Sequence, residues 1–258
     1  MLPVRHHAIM EMARQHGRVT VDDLAVRFEV TPQTIRKDLN DLCDQKLLAR
    51  VHGGAIISSG VENVGYDSRR LIAHAEKAAI GHAVADLVPD HSSLFINIGT
   101  TTEAVAQALL QHTGLMVITN DLIVANTMRC YPNIEVTIAC GIVRRADGGI
   151  VGEAAVDFIR QFKVDYAVIS ASAIEPDGTL LDYDYREVKV TQAMMANARN
   201  VILAADSTKF ERSAPVRIGD LRQVGTFVTD HCPSEQVRKL AAESGVTLIE
   251  TLPREAGP

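Results

Sequence analysis

Apolar positions along this chain follow two different rhythms. Up to residue 57 they recur in steps of three and four, the spacing of one helix face. Ile9, Met12 and Ala13 predict a helix over 4–16, and Gly17 ends it as glycine commonly does. Leu24, Ala25 and Phe28 give a second short helix its inner face, with Thr20 as cap and Asp23 in the capping-box position. Glu29-Val30 leaves room only for a tight turn. Thr31 then caps a third helix with Pro32 at its first position, where the missing N–H is harmless. Ile35, Leu39 and Leu42 form its inward stripe at i, i+4 and i+7. Two short helices joined by a tight turn predict a helix-turn-helix. LLARVHGGAII follows as strand 47–51, a His52-Gly53-Gly54 turn and strand 55–57, a hairpin that makes the module winged.

Beyond residue 57 the pattern changes. SSGVENVGYDS, residues 58–68, has no period and reads as a linker. A helix is predicted over 69–87, burying Ile72, Ala75, Ala79, Ile80, Ala83 and Val84. Short apolar runs then recur at 94–98, 116–119, 134–139, 166–170, 201–205, 226–228 and 246–249. Between most of them lie helix-period stretches at 103–112, 122–129, 154–162, 187–197 and 234–244. That alternation predicts an α/β domain with a mainly parallel sheet covered on both faces. The expected organisation is a winged helix-turn-helix over 1–57, a linker over 58–68 and a larger α/β domain over 69–258.

Composition narrows the class. With 258 residues, 47% hydrophobic and 22% charged, the chain can bury a sizeable core. No apolar run reaches the roughly 20 residues of a membrane helix, and MLPVRHHAIM lacks the greasy stretch of a signal peptide, so no membrane role and a cytoplasmic location are expected. Cys43, Cys130, Cys140 and Cys232 are far apart and have no zinc-ligand spacing, so neither a disulfide framework nor a metal is expected, and no cofactor either. The net charge of −6 argues against nucleic acid on average, but the charge is segregated. Residues 1–57 hold eight Lys/Arg against seven Asp/Glu and four of the nine histidines, leaving the acidic excess to the rest.

Two places carry candidate chemistry. Outside the inward stripe, the third helix presents Gln33, Thr34, Arg36, Lys37 and Asn40, with Thr31 at its start. These side chains can read base edges and clamp phosphates from the helix end that enters the major groove. Arg50 and His52 at the hairpin tip are placed to reach the DNA backbone or minor groove. The competing reading is a solvated face on a small bundle. In the larger domain, ligands of parallel sheets sit beyond the carboxyl ends of the strands. There Gly99-Thr100-Thr101-Thr102 opens a helix after the first strand, an arrangement suited to a phosphate. Asn120 and Asp121, Gly141 with Arg144 and Arg145, Glu187 with Lys189, and Lys209 lie at other strand ends. Taken singly, each is better explained as a cap or a surface ion pair, and only their shared position at strand ends favours a site.

TVDDLAVRFEVTPQTIRKDLNDLCDQKLLARVHGGA is similar to the winged helix-turn-helix of the DeoR family of bacterial transcription regulators. LFINIGTTTEAVAQAL, VITND, DGGIVGEAA, DGTLLDYDYREVKVTQAM and AADSTKF resemble that family's effector domain. The resemblance covers nearly the whole chain. It implies a fold similar to sugar-phosphate isomerases such as ribose-5-phosphate isomerase. It also implies a repressor that binds double-stranded operator DNA as a homo-oligomer, dimer or tetramer. The implied inducer is a phosphorylated polyol or sugar, glycerol 3-phosphate being favoured. Carried onto this sequence, the effector residues are Gly99, Thr100 and Thr101 for the phosphate, with Asn120, Gly141, Glu187, Lys189 and Lys209 around them. Ala139-Cys140-Gly141 and Ser170-Ala171-Ser172-Ala173 depart from the family pattern and add bulk near the expected pocket.

Two rival readings remain at this stage. A sugar-phosphate isomerase needs a carboxylate base over its substrate, whereas Ser172 and Ala173 stand where acids would be wanted, with only Glu175 and Asp177 nearby. No catalytic residue is therefore expected. An activator in place of a repressor gives the same sequence pattern.

Overall fold

The computed structural model describes residues 4–16, 18–44, 47–51, 53–57 and 65–251. The chain packs as two units, Met1–Ile72 and Ala73–Pro258. His52, Gly17 and the stretch 58–64 of the expected linker lie outside the described residues.

The first unit runs α1 (Val4–His16), β1 (Arg18–Thr20), α2 (Val21–Phe28), α3 (Pro32–Asp44), β2 (Leu48–Val51), β3 (Gly54–Ile57) and α4 (Tyr66–Leu71). Its core is the set the periodicity named: Ile9 and Ala13 from α1, Leu24 and Ala25 from α2, and Ile35, Leu39 and Leu42 from α3. Thr20 Oγ1 accepts from the Asp23 amide at 3.1 Å, so α2 starts where its cap predicts. Glu29 ends α2 in the left-handed conformation at φ 53°, which turns the chain within two residues into Thr31, whose Oγ1 accepts from the Thr34 amide at 3.2 Å. β2 and β3 pair antiparallel as the wing, and β1 joins the free side of β3.

The predicted helix over 69–87 is broken. Ala73 takes φ 51° and ψ 41°, and the two halves belong to different units. α4 begins at Tyr66, inside the segment read as linker. After the break α5 (His74–Ala85) buries Lys77, Ile80, Gly81, Val84 and Ala85, whereas Ala75 is exposed.

The second unit continues with β4 (Ser93–Ile96), α6 (Thr100–Ala108), β5 (Leu115–Thr119), α7 (Leu122–Met128), β6 (Ile134–Ile138), β7 (Ile142–Val143), β8 (Ile150–Val151), α8 (Glu153–Ile159), β9 (Val164–Ile169), β10 (Ala173–Ile174), β11 (Thr179–Asp182), α9 (Tyr185–Ala196), β12 (Ala198–Ala204), β13 (Val216–Asp220), β14 (Thr226–Thr229), α10 (Glu235–Glu243) and β15 (Thr247–Glu250). The seven apolar runs supply the seven strands of one parallel sheet, in the order β15-β14-β12-β9-β4-β5-β6. Successive residues of a strand face opposite sides, so Leu94 and Ile96 meet α5, α6 and α7 while Phe95 meets α8 and α9. Two small antiparallel elements were not foreseen: the hairpin β7–β8, and the sheet β10-β11-β13.

Candidate functional site

The first of two candidate surfaces is α3. Thr31, Gln33, Arg36, Lys37 and Asn40 are exposed and Thr34 is half-exposed, while Ile35, Leu39 and Leu42 are buried. The Thr31 and Thr34 hydroxyls are 2.9 Å apart, and Arg36 Nη1 donates to Gln33 Oε1 at 3.5 Å, which ties the first turn together. Arg50 is exposed on β2. One residue of α3 escaped the sequence reading. Asp38 is buried, and its carboxylate accepts from Arg5 Nε at 2.6 Å, Arg5 Nη2 at 3.0 Å and His6 Nε2 at 3.1 Å. Burial alone would raise its pKa, but the bonds from Arg5 and His6 hold it below the ordinary carboxylate value. The signal was legible, because Asp38 stands at i+3 from Ile35 within the inward stripe. A carboxylate there needs a cation from another helix, and α1 supplies it.

The second surface is the carboxyl edge of the parallel sheet. After β4, Asn97 is buried and spans two neighbours, donating to Thr191 Oγ1 at 3.1 Å and accepting from the Ser170 amide at 3.2 Å. Gly99 then sits at φ 155° and ψ 148°, a conformation that favours glycine, and α6 begins at once. Thr102 Oγ1 donates to the carbonyls of Asn97 and Gly99 at 2.8 and 2.7 Å, closing the loop from inside. Thr100 and Thr101 are buried in the same first turn, whose amides have no acceptor within the helix.

Asp121 stands beside this loop and caps α7, accepting from the Ile123 amide at 2.7 Å. Burial lifts its carboxyl to about 6 against the pull of the Ile123, Val124 and Gly99 amides, and the charge of Asp147 adds to the rise. Asn120 is buried too. Its Nδ2 donates to the Ile150 carbonyl at 3.0 Å, while its Oδ1 has no hydrogen-bond partner.

A further group of charges lies past the end of β12. Asp206 is fully buried, and Lys209 Nζ stands 3.9 Å from its Oδ2. Burial opposes ionisation of Asp206, yet the charges of Lys209, Lys77 and Arg212 keep its pKa lowered. Lys77 and Lys209 are themselves 4% and 6% exposed, so two buried ammonium groups act on one buried carboxylate. Lys77 was absent from the sequence reading. Its signal was its place at i−3 from Ile80 and i−7 from Val84, on the buried stripe of α5. One turn further along α5, a Cβ on Gly81 would stand 2.6 Å from the carbonyl of Ala104, so α5 packs closely against α6.

The other predicted effector residues are disposed differently. Glu187 is buried at the start of α9, but Arg144 Nη2 reaches its Oε2 at 2.6 Å. The same guanidinium holds Asp147 at 2.7 and 2.8 Å and Asp184 at 3.2 Å. Arg144 is therefore committed to three carboxylates, the ion-pair role rather than a place among the phosphate's ligands. Asp184 is pushed down to about 2, its burial outweighed by bonds from Arg186 and Arg144. Lys189 is half-buried, with its ammonium over the Tyr185 ring at 5.1 Å. Gly141 is exposed, and a Cβ there would stand 2.8 Å from the Val151 carbonyl, so close approach of the hairpin strands accounts for it. Cys140 is exposed and binds the Ala154 carbonyl, while Ser170 is the departure that lies beside Gly99. Asp177 is exposed and caps the β10–β11 turn through the Thr179 amide.

Comparison with known proteins settles the family. A DeoR-like helix-turn-helix domain matches residues 5–60, and the DeoR C-terminal sensor domain matches residues 72–231. The chain belongs to the DeoR family. It is 42% identical over 244 residues to the glycerol-3-phosphate regulon repressor of Escherichia coli K12, covering 95% of this chain and 97% of that protein. It is 44% identical over 237 residues to the Haemophilus influenzae protein of the same name, covering 92% of each. It is also 41% identical over 251 residues to the HTH-type transcriptional repressor CsqR of E. coli K12, covering 97% and 95%. Among solved structures, a Pyrococcus horikoshii translation initiation factor eIF-2B shares the fold at TM-score 0.51 and 15% identity, over 88% of this chain and 95% of that one. A ribose 5-phosphate isomerase A from Methanocaldococcus jannaschii superposes at TM-score 0.40 and 14% identity, over 54% and 55%. As a DeoR-family member with that family's DNA-binding module, the chain is a regulator, and the isomerase alternative is set aside. No helix among the described residues is long and apolar enough to cross a membrane.

Proposed function

We propose that this DeoR-family regulator represses a carbon-utilisation operon and leaves its operator when a phosphorylated polyol, foremost glycerol 3-phosphate, enters the carboxyl edge of the large unit. The observation that carries this reading is the pair of buried ammonium groups, Lys77 and Lys209, around Asp206 at the edge where α6 opens with Gly99, Thr100 and Thr101. Ammonium groups held at a sheet edge suit a dianion such as phosphate, and the first-turn amides of α6 add donors to it. Asn120, with its unpartnered Oδ1, is suited to a polyol hydroxyl. Glu187 enters this scheme only through Arg144, since its carboxylate is already paired.

On the DNA side, Gln33, Thr34, Arg36, Lys37 and Asn40 read the operator, with Arg50 of β2 and, two residues along the chain, His52 as further contacts. Pairs of half-sites call for a homo-oligomer, and operator DNA places the work in the bacterial cytoplasm. Repression is relieved only if the effector binds the released conformation more tightly than the gripping one. The test is a gel-shift titration with a promoter fragment. Glycerol 3-phosphate releases the fragment, glycerol leaves it bound, and a complex indifferent to every sugar or polyol phosphate defeats the reading.

A further inference from the structure

The carboxyl edge of the second unit has two walls set close together. A Cβ on Gly149, just before β8, would stand 2.5 Å from Ile98 Cδ1, so the hairpin backbone lies against the residue that precedes Gly99. Between them, Asn120 and Asp121 at the end of β5 meet both walls. The Ile150 amide donates to the Asn120 carbonyl at 2.7 Å, and Asp121 pairs with Gly149 in an isolated antiparallel bridge. On the other side, the Gly99 amide pulls on the Asp121 carboxylate.

These two residues, 1% and 0% exposed, each use half of their side-chain capacity. Asn120 Nδ2 donates to the Ile150 carbonyl at 3.0 Å. A carbonyl only accepts, so the amide orientation is fixed and its oxygen cannot trade places with its nitrogen. Oδ1 is left buried, with no hydrogen-bond partner among the described residues. Asp121 repeats the pattern. Its Oδ1 accepts from the Ile123 and Val124 amides at 2.7 and 3.4 Å, while Oδ2 is buried and has no such partner. Buried oxygens without a donor destabilise any state that leaves them so. Two in succession, both acceptors, call for a ligand with two donors.

We infer that Asp121 Oδ2 and Asn120 Oδ1 decide effector specificity by taking hydroxyl donors on adjacent carbons of a phosphorylated polyol and rejecting the corresponding phosphorylated ketone. The inference rests on the proposed reading of this edge as a polyol-phosphate site, and adds the polarity of the end away from the phosphate. Asp121 lies by Gly99 of the phosphate loop, so it meets the hydroxyl next to the phosphate-bearing carbon. Asn120, clamped to the hairpin, meets the terminal one. A hydroxyl donates to either oxygen. A ketone in place of the inner hydroxyl only accepts, and sets lone pair against lone pair on a buried carboxylate. Lys77 and Lys209 cannot make this distinction, since an ammonium group donates to hydroxyl and ketone alike. Nor can the α6 amides, which serve the phosphate that both ligands carry.

The test is calorimetric titration of the full-length protein at pH 8, where the Asp121 carboxyl, raised to about 6, is ionised. The probes are glycerol 3-phosphate, dihydroxyacetone phosphate, 2-hydroxypropyl phosphate and inorganic phosphate. The wild type binds glycerol 3-phosphate about 50-fold more tightly than dihydroxyacetone phosphate. In Asp121→Asn the Ile123 and Val124 amides still claim the side-chain oxygen, which puts the new amide nitrogen where Oδ2 stood and turns an acceptor into a donor. The polyol-over-ketone preference then falls by about tenfold or more. Reading the ratio cancels what both phosphates gain alike from the loss of one negative charge. Asn120→Ala weakens glycerol 3-phosphate by about tenfold and leaves 2-hydroxypropyl phosphate, which lacks the terminal hydroxyl, and inorganic phosphate as in the wild type. This variant and the wild-type comparison decide the question even if Asp121→Asn does not fold. Equal binding of polyol and ketone by the wild type, an unmoved ratio in Asp121→Asn, or an Asn120→Ala that weakens all four probes alike each overturns the inference while the phosphate site stands. A wild type that binds none of the four refutes the reading of the edge, and the inference with it.

Discussion

Arg5 of α1 and Asp38 of α3 meet through two hydrogen bonds of 2.6 and 3.0 Å, joining the N-terminal helix to the helix proposed to read the operator. Asp38 lies between Lys37 and Leu39, where a free carboxylate would repel a phosphate backbone. Its burial removes that repulsion and fixes the pitch of α3 together. Asp38→Ala is expected to destabilise the N-terminal unit by about 2 kcal/mol, because His6 and Arg5 lose their shared acceptor. Thermal unfolding and operator titration check this, with affinity falling further than the loss of folded protein explains.

Arg36→Ala tests the exposed face of α3. Operator binding weakens, and if the guanidinium sits on a phosphate the slope of log affinity against log salt falls by about one unit. Binding measured at several salt concentrations separates a phosphate contact from a base contact, which leaves the slope unchanged.

Lys77→Met tests the proposed anion site at the lysine on the buried stripe of α5. Loss of one charge-assisted bond is expected to weaken glycerol 3-phosphate binding by about 10- to 100-fold while operator affinity persists. Calorimetric titration of the phosphate against glycerol is the measurement. Lys209→Met is expected to act in the same direction, since both cations face Asp206.

Asp121 makes a pH prediction. Its carboxyl is raised from 3.8 to about 6, so the folded protein holds a proton that the unfolded chain has already lost. This contribution to stability is complete below pH 3.8 and is lost as pH rises through about 6. Asp121→Asn keeps the helix cap without the buried charge. It is expected to be more stable than the wild type by about 1–2 kcal/mol at pH 8, with the difference vanishing near pH 4. Denaturant midpoints across that range check it, and a difference independent of pH sinks the idea.

The parallel sheet was legible because buried parallel strands are nearly continuous apolar runs, as in Leu94-Phe95-Ile96 and Val201-Ile202-Leu203. The hairpin β7–β8 was not, since two-residue strands such as Ile142-Val143 carry no period. The break at Ala73 was hidden for a different reason. Alanine is the best helix former, so nothing in its side chain announces the φ of 51° it adopts at the boundary between the two units. In the site, Gly99, Thr100 and Thr101 were readable from their place after a strand, whereas Lys77 was passed over although it shares the buried stripe of Ile80 and Val84. For Arg144 an ion pair was legible, but spacing cannot show that its partners are Asp147, Asp184 and Glu187.

β4 lies between β9 and β5, so its neighbour on one side is separated from it by about seventy residues of chain. On the ribosome, β4, β5 and β6 emerge and pair first, and their open side waits for Val164–Ile169 before the sheet can be completed. The winged module, built from contacts within its first several dozen residues, is finished long before that. A nascent chain thus acquires its DNA-reading module before it acquires the means to let go, and a stall in translation between residues 60 and 160 would leave a winged fragment deaf to metabolites.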